Sequence, residues 1–157
     1  MAGPYKRVGA DDDGLFPPRV MEALDDRYIV SEYSPPPRAD IEYTTPSIAQ
    51  YTRHSGLIEL GAQYQISQVK LNYAGRIRLY PAASFRTNDA GRPTGVDPQH
   101  GVDHGVLLDV AMNAAGTLHM SPVIDGYVDS GTSAYLLIDN LDTVARAIKA
   151  TLTYRST

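Results

Sequence analysis

The 157-residue chain has no cysteine and no tryptophan, only three lysines (Lys6, Lys70, Lys149) among its 14 basic residues, and no long apolar run. Without cysteine there is no disulfide framework, no thiolate nucleophile and no zinc ribbon. Without a stretch of about eighteen apolar residues there is no candidate transmembrane helix. The N-terminal "MAGPYKRVGADDDG" turns acidic where a secretory signal would be apolar, so the expected product is made without secretion. Excess positive charge is also missing: the formal net charge is -4, which argues against nucleic acid or an anionic membrane as partner. What positive charge there is comes mostly from arginine, the side chain suited to planar, bidentate and stacked contacts.

Proline is unevenly spread. Most of the eleven prolines fall in residues 1 to 56, including Pro35, Pro36 and Pro37, and this stretch shows little sustained periodicity. It reads as an N-terminal extended arm with one short helix near residues 17 to 29. There Pro17 or Pro18 suits a first turn, Asp11 to Asp13 offer capping carboxylates, and Val20, Met21, Leu24 and Tyr28 make one apolar stripe. A helix that short is marginal alone and must dock on something. The following "SPPPRADIEYTTPS" reads as stiff extended chain whose backbone is free to add to a neighbouring sheet edge.

From residue 57 the pattern changes to a period near two. "AQYQISQVKLN" alternates Tyr64 and Ile66, then resumes after a polar pair with Val69 and Leu71; "GRIRLYP" sets Ile77 and Leu79 against Arg76, Arg78 and Tyr80. "HGVLLDVAMN" and "GTLHMSPVI" flank a turn at Asn113 to Gly116 that reads as a hairpin, and "SAYLLIDN" and "VARAIKATLTY" flank another at Asn140 to Thr143. "LDTVARAIKA" also fits a helical stripe, but it runs into "TLTY", and strand is preferred. About six short strands between turn signals predict a mainly β fold, an antiparallel β-sandwich of jelly-roll type over residues 57 to 157.

The densest cluster of chemistry is "DPQHGVDHG", residues 97 to 105. His100 and His104 have the spacing of two ligands on one helix face, with Asp97 and Asp103 beside them. They fall, however, in a stretch of Gly, Pro, Asp and Asn, "RTNDAGRPTGVDPQHGVDHG", that reads as a long loop, where that spacing has no such consequence. A metal-dependent hydrolase would require His100, His104 and an aspartate to converge on one ion. No phosphate loop, nucleophile elbow or catalytic dyad is legible, and the carboxylates of Asp11 to Asp13, Asp25 and Asp26 read as caps and solvated faces. The expectation is no enzyme, no catalytic residue, no metal and no cofactor.

Several short motifs carry a resemblance. "GRIRLYP", "NDAGRP", "HGVLLDV", "HMSPVI" with a following "GY", "YLLIDNLD" and the terminal "ATLTY" resemble the β-sandwich domain of minor virion proteins from tailed phages of actinobacteria, found in tail fibres, tail tips and head fibres or decorations. "YKRVGADDDGLFPPRVMEAL" resembles the N-terminal segments that attach such chains to the particle. The resemblance implies a virion structural protein and homo-oligomer whose arm meets capsid or tail proteins, with Tyr5, Phe16, Val20, Leu24, Tyr28 and Tyr33 as contact residues. The alternative is a carbohydrate-binding module for bacterial surface glycans. Its candidates are Tyr73, Arg76, Arg78, Tyr80, Asp89, Arg92, Asp97 and His100, since rings stack on sugars and Arg/Asp pairs bond hydroxyls.

Overall fold

The computed structural model describes residues 36–98 and 105–157. Eight strands and one helix follow in order: β1 (Ala39–Ile48), β2 (Arg53–Glu59), β3 (Gln63–Leu71), β4 (Gly75–Tyr80), α1 (Ala83–Asp89), β5 (Leu108–Met112), β6 (Gly116–Tyr127), β7 (Ser133–Asn140) and β8 (Arg146–Ser156). The fold is mainly β, in two antiparallel four-stranded sheets. The first has the order β1-β8-β3-β6 and the second β2-β7-β4-β5.

The pairing is nested. β1 pairs with β8, β2 with β7, β3 with β6 and β4 with β5, like the two arms of one long hairpin, and alternate pairs fall in opposite sheets. Two further ladders, β3 with β8 and β4 with β7, knit the pairs together within each sheet. One apolar cluster draws on both sheets: Tyr64, Ile66, Val69, Leu71, Ile148, Ala150 and Leu152 from the first, with Ile58, Ile77, Leu79, Val110, Leu136 and Ile138 from the second. Burying each of the larger aliphatic side chains stabilises the fold by about 1.5–3 kcal/mol.

Residues 39 to 56 do not belong to an arm. β1 joins this chain's own first sheet, and β2 is an edge of the second, so the sheets begin at residue 39 rather than at 57. Proline obscured β1. Pro46 lacks an N–H, and the ladder to β8 shifts register between Thr44 and Ser47. The buried Thr45 repairs the gap, since its Oγ1 accepts the Ile148 N–H at 2.9 Å and donates to the Pro46 carbonyl at 2.7 Å. Tyr43 then links the two sheets, its hydroxyl bonded to His54 Nε2 at 2.8 Å.

Two turns are located as the sequence predicts but connect differently. β5 and β6 flank Asn113 to Gly116, yet they lie in different sheets, as do β7 and β8 around Asn140 to Thr143. These turns carry the chain across the core, because turn residues specify where a chain reverses and not which strands pair. The polar pair in "AQYQISQVKLN" has a clear counterpart: both β3 ladders shift register between Ile66 and Gln68, a bulge that keeps Val69 and Leu71 facing inward. "VARAIKATLTY" is strand from Arg146 onward, as preferred, with Val144 and Ala145 in the preceding turn.

The predicted helix near 17 to 29 and the arm contacts Tyr5, Phe16, Val20, Leu24, Tyr28 and Tyr33 lie outside the described residues, as do His100, Asp103 and His104.

Candidate functional site

All six residues of β4 are buried. Period two accounts for half of them, because Ile77 and Leu79 enter the core. The other half, Arg76, Arg78 and Tyr80, stand on the outer face of the second sheet and are nevertheless 1 %, 0 % and 0 % exposed. They are covered because the stretch after β4 is not all loop: it forms α1, which packs on β4 and β7. Beyond α1, Arg92 and Thr94 return over β4 to bond Arg76.

Beneath this cover lies a network of three arginines and three aspartates. Asp89, at the end of α1, is its hub. It accepts from Arg92 Nε at 2.6 Å and Nη2 at 2.9 Å, from the Tyr80 hydroxyl at 2.6 Å and from Arg78 Nη1 at 3.3 Å. Arg78 also bonds both oxygens of Asp139, at 3.1 and 3.2 Å. Arg76 makes a bidentate pair with Asp109, both bonds 2.8 Å, and donates to the Arg92 carbonyl at 2.9 Å. Arg92 closes the circuit to Asp109 at 2.8 Å. Planar guanidinium groups fit this two-pronged geometry where lysine would not.

The electrostatics follow from the pairing. Burial alone would raise the Asp89 carboxyl, but hydrogen bonds from Arg92 and Tyr80 and the charges of Arg92 and Arg78 outweigh it and hold the group below the usual carboxylate range. Asp109 is likewise lowered, with burial opposed by the bonds and charges of Arg76 and Arg92. Tyr80 is raised, by burial first and by its bond to Asp89 second, so it stays a neutral donor. These groups are held in fixed ionisation states, the condition of a structural clamp rather than of an acid and a base that exchange protons.

A groove runs on either side of the cover. One, about 450 Å³, lies between Arg92, Thr94 and Asp97 of the connecting segment and Leu108, Asp109 and Ala111 of β5. The other, about 300 Å³, lies between Arg86, Thr87 and Ala90 of α1 and the strand residues Arg53, Ser55 and Leu137.

The sequence-predicted glycan residues therefore divide. Arg78 and Tyr80 meet at Asp89, while Arg76 bonds Asp109, Arg92 and Thr94 instead; all four are closed to solvent beneath a helix where the sequence predicts loop. Arg92 and Asp97 line the larger groove. Tyr73 is elsewhere, between β3 and β4, with the Arg146 guanidinium 4.3 Å from its ring centroid. Asp109 and Asp139 were missed. For Asp139 the available signal was a lone carboxylate within the apolar "YLLIDN", on a strand largely buried on both faces, where any charge must be paired; Asp109 lies on the exposed side of the edge strand β5 and had no such signal. Among the described residues, no three or more His, Asp or Glu side chains gather as a metal ion would require, and no helix is long and apolar enough to cross a membrane.

No protein-family model matches this chain, and no curated protein is significantly similar to it.

Proposed function

We propose that this chain is a non-enzymatic structural protein of a bacteriophage virion, a minor tail, fibre or capsid decoration protein. Its N-terminal segment attaches to the particle and its β domain is displayed outward as part of a homo-oligomer. The observation that carries the reading is the strand order. A nested hairpin whose pairs alternate between two sheets supports a jelly-roll reading, an architecture used by viral capsid and lectin domains. Fold alone does not fix function. The proposal joins that plan to the motif resemblance and to the proline-rich N-terminal stretch with its single amphipathic segment.

The test is the solution mass and thermal melt of the full chain and of residues 36 to 157. The boundary matters, since a cut near Ser55 would remove β1 and part of β2. A cooperative, monomeric melt of the shorter chain, with assembly of the full chain, supports an attachment arm. Two monomers with the same melt would remove the anchor from the proposal.

The larger groove favours a second reading, recognition of a bacterial surface glycan, because Arg92, Asp97 and Asp109 offer donors and acceptors beside apolar Leu108. Glycan-array binding that is lost in Asp97→Ala would select it. A displayed jelly roll that binds host sugars satisfies both readings.

A further inference from the structure

The smaller groove differs in charge from the ion network beside it. Its walls carry two guanidinium groups, Arg53 from β2 and Arg86 from α1, and two hydroxyls, Ser55 and Thr87, over a floor of Leu137; no carboxylate lines it. The network next door balances each arginine with an aspartate, and these two arginines stand outside that balance.

Arg86 is held in place without being neutralised. Its Nη1 donates to the Gly56 carbonyl at 2.8 Å and to the Leu136 carbonyl at 3.4 Å, and its guanidinium lies 5.2 Å from the centroid of the Tyr135 ring. Among the described residues no carboxylate pairs with it. Arg53 has a side chain 44 % exposed and only a 3.9 Å approach to Asp139, whose two oxygens already accept from Arg78. The nearest acid is thus spent on the buried network. One cation is preorganised and the other is free to swing over the same cleft, which is the arrangement that recognises an oxyanion.

We propose that this groove binds an oxyanion, the phosphate or carboxylate group of a small or saccharide ligand, between Arg53 and Arg86 with Ser55 and Thr87 as hydroxyl donors. At about 300 Å³ it is at the small end of ligand sites, with room beyond the charged group for part of the molecule that carries it. The assignment rests on the groove's own side chains and holds for either reading of the function.

Calorimetric titration of the full chain with inorganic phosphate and with trigalacturonate, at constant ionic strength, tests it. Three variants accompany the wild type: Arg53→Gln, which touches only the exposed cation; Thr87→Glu, which puts a carboxylate into the groove from an exposed position; and Lys149→Gln on the outer face of the first sheet, a charge loss remote from both grooves, as control. The expected result is saturable binding of at least one probe, weakened about tenfold or more by each of the first two variants and unchanged by the third. Binding of trigalacturonate alone identifies the anion as part of a sugar chain, and binding of phosphate identifies a site for the free ion. Saturation by neither probe, or binding indifferent to both Arg53→Gln and Thr87→Glu, overturns the proposal.

Discussion

The two sheets turn very different outer faces away from their shared core. That of the first sheet is solvated: Asp40, Glu42 and Thr44 on β1 stand beside Thr153, Thr151 and Lys149 on β8, joined by contacts such as Thr153 to Asp40 at 2.7 Å and Lys149 to Glu42 at 3.8 Å. That of the second sheet is roofed by α1, so Arg76, Arg78 and Tyr80 are as buried as the aliphatic residues that alternate with them. Alternation tells which side chains point away from the core. Whether they meet water depends on what the next segment does, and an ion network is what that segment needed to settle on a polar face.

The contrast can be broken first at its hub. Asp89→Ala leaves Arg78 and Arg92 buried without a shared partner, and the expected loss is about 3–5 kcal/mol, read from denaturant unfolding. A result near zero would mean that the network is solvated and the roof loose. Acid should act on the same point. Asp89 and Asp109 are lowered in the folded protein, so their contribution is complete above the unfolded carboxylate value of about 3.9 and is lost as pH falls through their folded values. Melts below about pH 4 should therefore show a steep decline that Asp109→Asn partly flattens, at the expense of stability near neutrality.

The remaining substitutions sharpen the contrast from the other sheet. Tyr64 is buried with its hydroxyl unbonded, its ring filling the space that a Cβ at the facing Gly126 would need, and its pKa is pushed up to about 12, chiefly by burial. Tyr64→Phe removes an unpaired polar atom and should be neutral or stabilising by up to about 1 kcal/mol. Lys149→Gln breaks a 3.8 Å pair between half-exposed side chains and should change stability by less than about 0.5 kcal/mol. An effect as large as that of Asp89→Ala would erase the distinction between the faces.

How much was legible follows the same division. The inward residues of β3 and β4 can be read from period two, and the polar pair that interrupts β3 falls where its ladders shift register; in β3 the alternation is clean because the first sheet's outer face is in water. β1 was hidden by Pro46, whose missing N–H is covered by the Thr45 hydroxyl, a tertiary remedy with no local signature. Arg76 and Arg78 read as accessible partners for sugar hydroxyls, since nothing in "ASFRTND" announces α1: its N-cap is Ala82, without a side-chain cap bond, and its first turn has no acid. The arginines of the smaller groove, Arg53 and Arg86, are 33 positions apart and meet only through the roof.

The most direct test of the roofed face is native-state hydrogen exchange of the full chain, comparing the amides of Arg86, Ala90 and Arg92 with those of β4. These donate to Ala82, Thr87 and Asp89 carbonyls respectively, bonds that last only while α1 and its continuation remain docked. The account predicts protection of the Arg92 amide approaching that of β4, with a selective loss in Asp89→Asn. Exchange of all three amides at unprotected rates, with β4 still protected, would contradict it: the cover would then open freely and the arginines beneath it would be accessible after all.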